Sequence, residues 1–423
     1  MCGVLRCVLA TVMISISLVG CQTGRRPASP SASPRSVSEA SAEQRTTGSP
    51  SLATRVAAAT TPFRLTEPPE ALIDAMAAHE VAILGEYHLL RQHHDLVMAT
   101  LAALHARGTR WLLLESFHAQ GDRADRYVRG EAATLPPATA TYLGYLLAQL
   151  RAFNAKTASA DHLRVAFIDI DHQPAALPVV LAQDVADGTA PAEAVSFLVE
   201  IGWDVDGVLT AQEAAFGTRW RADPKRYRSA LETLVSAAEA DAHAVLLEQA
   251  RIALRSLDIR RVWETQGENA AHPAREEVIK SLVGARIAVS DATVLINIGG
   301  FHAQRRHVMG TPKRWLAEQL ADPDSAAHGS VYSVFVNVAH AEQWTGSEVR
   351  TLQIDLDEPD ELMSWMASVD RTRPVYLPLR ELVLDDTPIR VNYLYQAVEH
   401  RPQEQFDAYV LLPKGELLPG FTP

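Results

Sequence analysis

The segment VAILGEYH at residues 81–88 is the most informative part of the sequence, because a continuous apolar run leads directly into a glycine, a glutamate and a histidine. An apolar run of this length is typical of a strand that is buried on both faces, as in a parallel sheet. Three further segments follow the same pattern: WLLLE at 111–115, VAFIDIDH at 165–172 and VLINIGGFH at 294–302. We predict that these four segments are strands of one sheet.

Helical patterns separate these strands. Residues 92–106 and 142–153 each place leucines on one stripe of a helix, and residues 177–272 are helical in pattern throughout. The alternation of strand and helix predicts an α/β domain with a mostly parallel central sheet flanked by helices, and a helical insertion at about 177–272.

The region after residue 302 carries weaker signals. A helix is expected at 315–320, a strand at 331–338 and a shorter strand at 351–356. The remaining C-terminal sequence predicts irregular structure.

The N-terminus is typical of a secreted lipoprotein. Residues 8–19 are largely apolar, too few to span a bilayer but suited to a signal peptide. They end in Leu18-Val19-Gly20-Cys21, which resembles a lipobox. We expect removal of residues 1–20 and acylation of Cys21, which would anchor the protein in the cell envelope, in the outer membrane or on the outer face of the cell membrane. The alternative is an ordinary signal peptide with a chance cysteine.

Composition divides the rest of the chain. Residues 21–62 are rich in Ser, Pro, Thr and Arg, so we predict a disordered tether before a single domain at 63–423. The chain carries a net charge of −12, and its N-terminal segments are basic, so the domain is more acidic still. Nucleic acid is therefore a poor candidate partner, and the expected membrane contact is through acylated Cys21.

The domain lacks several kinds of reactive group. Every cysteine lies at or before position 21, which excludes disulfides, cysteine-ligated zinc, iron–sulfur clusters and a cysteine nucleophile from the domain. No G-x-S-x-G, P-loop or G-x-G-x-x-G motif is present, so a serine hydrolase or a nucleotide-binding protein has no support.

Polar residues stand at the ends of the predicted strands: Glu86, His88, Glu115, Asp169 and His302. Because the carboxyl ends of parallel strands meet at one edge of a sheet, these side chains should converge in one cleft. Imidazole and carboxylate together suit a divalent metal such as zinc or manganese, or a general acid/base pair without metal. Solvated loop residues are the alternative.

The same motifs carry a family resemblance. GEYH at 85–88, followed by a helix and LLLE at 112–115, resembles the G-E-x-H and downstream Glu of the erythromycin esterase/TIKI/TraB/ChaN superfamily, and GGFH at 299–302 resembles its late G-x-x-H motif. Arg275, expected to open a helix after Pro273, stands where such proteins have an Arg-Asp pair, although Glu276 replaces the Asp. The resemblance covers about 63–340.

The resemblance implies several functions, because the branches of this superfamily differ in what they do. Erythromycin esterases hydrolyse a macrolide lactone with the His of G-E-x-H and the next Glu, TIKI-like members are metal-dependent peptidases, and ChaN-like members are lipoproteins that bind haem. We favour hydrolysis of an ester, lactone or amide in a small-molecule or peptide substrate, with five catalytic residues: Glu86, His88, Glu115, Arg275 and His302. If a divalent metal is bound, its expected ligands are Glu86, His88, Glu115 and His302. The alternatives are a ChaN-like haem- or iron-binding lipoprotein without catalysis, and an envelope binding module.

Residues of a second rank are also predicted. His93 and His94 begin a helix and are expected to be exposed or capping, whereas His118 could border the cleft. Asp169, Asp171 and His172 could orient a ligating histidine. Residues 204–213 resemble the later part of a calcium-binding loop, but Gly202 replaces its first carboxylate, so we favour a plain turn followed by a Thr210/Glu213 capping box.

Overall fold

The computed structural model describes residues 50–306, 314–345, 348–380, 382, 384, 388–394 and 396–421. The predicted signal peptide, Cys21 and most of the predicted tether lie outside these ranges. Within them, every helix is too short or too polar to cross a membrane.

The strands of the described residues are β1 Thr61–Pro62, β2 Val81–Glu86, β3 Trp111–Phe117, β4 Arg164–Asp169, β5 Val294–Gly299, β6 Val331–Val338, β7 His340–Trp344, β8 Val349–Gln353, β9 Val375–Pro378, β10 Ile389–Tyr393, β11 Gln396–His400 and β12 Ala408–Leu412. Eight of them form the central sheet, in the order β1-β9-β12-β6-β2-β5-β3-β4, and the six neighbouring strands from β12 to β4 run parallel. Two antiparallel pairs, β7-β8 and β10-β11, stand apart from this sheet.

Helices connect and flank these strands, which confirms the predicted α/β class. They are α1 Leu52–Ala59, α2 Glu70–Ala77, α3 Arg91–His105, α4 Gly121–Val128, α5 Pro137–Tyr142, α6 Gly144–Asn154, α7 Ala176–Ala186, α8 Ala192–Glu200, α9 Leu209–Ala222, α10 Pro224–Ala240, α11 Ala244–Gln266, α12 Glu268–Ile287, α13 Leu316–Leu320, α14 Leu362–Ala367 and α15 Pro402–Gln405. Helices α7 to α12 lie between β4 and β5, in the region of the predicted insertion. Many of their apolar side chains, including Phe197, Tyr227 and Leu231, form a second core beside the core of the sheet.

The strand order positions the cleft. Strand β5 follows β4 in the chain but lies between β2 and β3 in the sheet. Its last residue, Gly299, pairs with Glu86, the last residue of β2, and Asn297 of β5 pairs with Leu114 of β3. Strands β2 and β5 are buried at every position. The burial explains their continuous apolar runs, and the pairing brings three distant segments to one edge.

The structure corrects the predicted ends of the domain. Residues 52–62, assigned to the tether, form α1 and β1; Ser51 caps α1, Val56 is fully buried, and β1 pairs with β9. The C-terminal region is not irregular, since β9 and β12 join the central sheet. The predicted strand at 351–356 is β8, three residues earlier at its end. Strands β8, β9 and β12 are only four or five residues long, so their apolar pattern is weak.

Candidate active site

Glu86 and His88 form the first half of the site. Glu86 ends β2 and is buried, and its Oε1 lies 2.8 Å from Nδ1 of His88. The side chain of His88 keeps about a third of its surface exposed, at 34%. Directly after it, Leu89 adopts a left-handed conformation with φ 71°, and its carbonyl accepts a hydrogen bond from the backbone N–H of Leu418. The C-terminal tail therefore holds the turn that carries His88.

Glu115 lies at the centre of the site. It stands in β3 where the pairing with β4 is irregular. One carboxylate oxygen, Oε2, accepts a hydrogen bond of 2.7 Å from the backbone N–H of Gly299, and Oε1 accepts one of 2.5 Å from Arg275. Burial opposes ionisation of Glu115, but the charges of His302 and Arg275 outweigh it and hold its pKa well below the usual value.

Arg275 joins two strands. Its guanidinium donates to both carboxylate oxygens of Asp169, at 2.8 and 2.6 Å, as well as to Glu115. The expectation that Arg275 opens a helix is wrong, because α12 begins at Glu268 and contains Pro273. The break between α11 and α12 falls at Gly267, whose φ is 89°. Arg275 therefore reaches the cleft from within a helix.

His302 follows β5 and lies between two carboxylates. Its Nδ1 is 2.7 Å from Oε1 of Glu276, and its Nε2 is 3.4 Å from Oε1 of Glu115. Burial alone would lower the pKa of His302, but the negative charges of Glu276 and Glu115 raise it to about 10. His302 is therefore an imidazolium at neutral pH.

Gly299 lies beside His88 and Glu115, where a side chain would crowd both of them. A Cβ at this position would lie 3.1 Å from Nε2 of His88 and 3.2 Å from Oε2 of Glu115. The glycine lets both side chains approach the strand end while its N–H binds the carboxylate.

The five predicted catalytic residues thus meet at one edge of the sheet, where their side chains contact one another. Among the described residues no group of three or more His, Cys, Asp or Glu is placed to hold one. Both oxygens of Glu115 already accept hydrogen bonds, from Arg275 and Gly299. Both oxygens of Glu86 are bound likewise, by His88 and Asn297.

Four residues in or near the site were missed or misjudged from the sequence. His93 and His94 were expected to be exposed or capping, yet both are buried, at 1% and 2% exposure. His93 lies on the buried stripe of α3, four residues before Val97, and this spacing could have revealed it. Asn297 is the polar residue within the apolar run of β5. Glu276 contacts His302, although the sequence marked it only as a departure from the family motif.

Other second-rank residues lie further from the centre. Nε2 of His172 is 2.8 Å from Asp169, so it adjoins the partner of Arg275. Asp171 accepts a hydrogen bond from the backbone N–H of Ala119 instead. His118 lines a separate cavity of about 210 Å³ beside β4.

The calcium-like loop is a turn. The side chain of Asp204 accepts a hydrogen bond from the backbone N–H of Asp206. The expected Thr210/Glu213 capping box is wrong, because α9 begins at Leu209 and Val208 takes the cap position without a side-chain hydrogen bond.

Comparisons with solved structures give the fold a context. An erythromycin esterase, a mutant of EreC in its open conformation, is 16% identical, with a TM-score of 0.60 over 84% of this chain and 98% of that chain. A Bacillus cereus protein is 14% identical, with a TM-score of 0.63 over 86% and 97%. A succinoglycan biosynthesis protein is 11% identical, with a TM-score of 0.62 over 86% and 97%. No family model and no curated protein matches the sequence. The chain therefore shares the fold of an erythromycin esterase over most of its length.

Proposed function

We propose that this protein is an extracytoplasmic hydrolase of an ester, lactone or amide, in which His88 is a general base that works without a metal ion. The observation that carries the proposal is the contrast between a partly exposed histidine, bound to a carboxylate through Nδ1, and a buried histidine nearby that lies between two carboxylates. The shared fold with an erythromycin esterase supports a hydrolase.

His88 would activate water. With Nδ1–H bound to Glu86, its Nε2 carries the lone pair and can take a proton from a water molecule that attacks the substrate carbonyl carbon. Burial lowers the pKa of His88, but the hydrogen bond to Glu86 and the charge of Glu115 raise it above its ordinary value. Glu86 stabilises the imidazolium that forms, and the proton then passes to the leaving oxygen or nitrogen.

Arg275 and His302 would supply positive charge. As the carbonyl carbon becomes tetrahedral, its oxygen gains negative charge, which fixed cations in a buried site stabilise. Glu115 holds both cations in place through contacts at 2.5 and 3.4 Å. Both groups remain charged at neutral pH, so neither needs to reorganise during the reaction.

The proposal is tested by measuring turnover of the full chain in detergent with a phenyl ester, a macrolide lactone and a peptide, with and without EDTA. We expect hydrolysis of at least one ester or lactone, insensitive to EDTA and lost in His88→Gln. The matched control is His328→Asn, since His328 is exposed, and its φ of 47° is one that asparagine tolerates. Loss of activity in EDTA with recovery on zinc or manganese would instead support the metal-dependent alternative. A Soret band on haemin titration, without turnover, would support the haem-binding alternative.

The envelope location is a second part of the proposal. It rests on the lipobox-like sequence that ends at Cys21. Cys21→Ala should abolish labelling by a palmitate analogue and leave the precursor uncleaved, and continued labelling of that variant would contradict acylation at this residue.

A further inference from the structure

Two buried side chains behind Glu86 have no part in the proposed chemistry. His93 comes from the first turn of α3, and Asn297 comes from the middle of β5. Nε2 of His93 lies 2.6 Å from Oδ1 of Asn297 and 3.1 Å from Oε2 of Glu86, and Nδ2 of Asn297 donates to the same Oε2 at 2.9 Å. Both side chains are at most 2% exposed.

We propose that His93 and Asn297 are positioning residues that fix Glu86, and through it the orientation and tautomer of His88. This inference rests on the proposed hydrolase function, because it assigns them a role for the same base. Both side chains contact Glu86 and are at most 2% exposed, so neither is assigned a catalytic role.

The hydrogen bonds determine where the protons lie. The carbonyl oxygen of Asn297 can only accept, so Nε2 of His93 must carry a proton and donate it. The amide nitrogen of Asn297 then donates to Oε2 of Glu86, which leaves Oε1 to accept from Nδ1–H of His88. A neutral His88 that donates from Nδ1 has an unprotonated Nε2, which is the form that a general base requires.

The two residues also preserve the charge of Glu86. Burial lowers the pKa of His93, which favours its neutral form. When His93 is neutral, its hydrogen bond holds Asn297 and Glu86 without cancelling the charge of the carboxylate, which remains available to the imidazolium of His88 when it forms; a charged His93 would instead lower the pKa of Glu86. An Asn in a fully buried strand is costly unless its polar atoms are bound, and here both are used.

The inference is tested by NMR, which reports the tautomer of His88 through the chemical shifts of its ring nitrogens. The full chain is labelled with ¹⁵N-histidine, the His88 signals are assigned by their absence in His88→Gln, and the ring nitrogen shifts are measured where His88 is neutral. In the unmodified chain we expect Nδ1 protonated and Nε2 bare. Asn297→Ala and His93→Leu should shift the population toward the Nε2–H form. They should also lower kcat about 10- to 100-fold with little change in KM, as loss of an outer hydrogen-bond partner typically does.

Matched variants separate positioning from folding. His93→Gln retains an N–H donor toward Asn297 and should keep the tautomer and most of the turnover. His94→Leu removes an adjacent histidine that is equally buried but lies outside these hydrogen bonds, and it should leave the tautomer unchanged.

The outcomes distinguish this inference from the function on which it rests. A folded Asn297→Ala or His93→Leu chain with an unchanged His88 tautomer would overturn the positioning role, even if the protein hydrolyses esters. A changed tautomer in a protein without any hydrolase activity would support the positioning role and refute the proposed function.

Discussion

The two histidines of the cleft follow neighbouring strands, yet their surroundings differ. Among the described residues, His88 has one carboxylate within hydrogen-bond distance, that of Glu86 at Nδ1, while Glu115 lies further away, 3.9 Å from Nε2; the side chain is 34% exposed. His302 has a carboxylate near each ring nitrogen, and its side chain is 6% exposed. The same residue type at the same edge of the sheet is therefore placed in two electrostatic environments.

This difference separates a proton acceptor from a fixed charge. Two carboxylates raise the pKa of His302 to about 10, so it cannot accept a proton at neutral pH. His88 is bound at Nδ1, whereas its Nε2 lies 3.9 Å from Oε2 of Glu115, beyond hydrogen-bond distance, and its side chain is partly exposed, which suits a group that exchanges protons with water. If His88 is the proton acceptor and His302 the fixed charge, substitutions of the two histidines should lower kcat by different factors and with a different dependence on pH.

Removal of the base should have the largest effect. In His88→Gln we expect kcat to fall about 1000-fold, because the side chain can no longer take a proton from water. The fold should persist, since His88 is partly exposed, and circular dichroism would verify this. Activity within a few-fold of the original chain would show that His88 is not the base.

Removal of the fixed charge should cost less. His302→Gln keeps a polar side chain but loses the cation, and we expect kcat to fall about 100-fold. The dependence of kcat on pH gives the sharper comparison. On the acidic side, activity should fall as His88 becomes protonated, and this acidic limb should remain in His302→Gln. Disappearance of that limb would mean that His302, and not His88, titrates in the reaction.

Much of this site could be predicted from the sequence because it depends on one rule. Each apolar run predicts a buried strand, and polar residues at the carboxyl ends of parallel strands share an edge. Glu86, Glu115 and His302 could be placed together on this basis alone.

The rest depends on long-range pairing, which local pattern does not reveal. Nothing near residue 294 indicates that β5 inserts between β2 and β3, and this insertion places Asn297 behind Glu86. The helix break at Gly267 was also missed, because Pro273 is a stronger signal for a helix start than a glycine is for a break. The burial of His93 is an exception, because its place on the apolar stripe of α3 can be read from the sequence.

Glu276→Gln tests the origin of the charge on His302. Without the carboxylate at Nδ1, the pKa of His302 should fall, so the alkaline loss of activity should begin at a lower pH, with activity nearly retained under more acidic conditions. The stability of the folded protein should also decrease as the pH rises. A group whose pKa is raised from 6.5 to about 10 on folding contributes stability that is complete below pH 6.5 and is lost as the pH rises through 10.

The measurement for this variant is the melting temperature and kcat between pH 6 and pH 10. We expect the original chain to lose stability across this range and Glu276→Gln to show a smaller loss, since less of the stability depends on a charged His302. Identical alkaline limbs in the two chains would contradict a role for Glu276 in holding the charge.

The smallest effect is expected from Gly299→Ala, which would crowd His88 and Glu115. The added Cβ would lie about 3 Å from Nε2 of His88 and Oε2 of Glu115, closer than ordinary van der Waals contact, so one of them must move by a few tenths of an ångström. We expect kcat to fall about tenfold, because catalysis is sensitive to small displacements of reacting groups. The alkaline limb assigned to His302 should stay in place, since the three atoms nearest to the added Cβ belong to His88 and Glu115. Gly144→Ala is the control, because a Cβ there meets nothing within 4 Å. A shift of the alkaline limb in Gly299→Ala would show that the two histidines are coupled through Glu115, and that they cannot be treated as independent halves of the site.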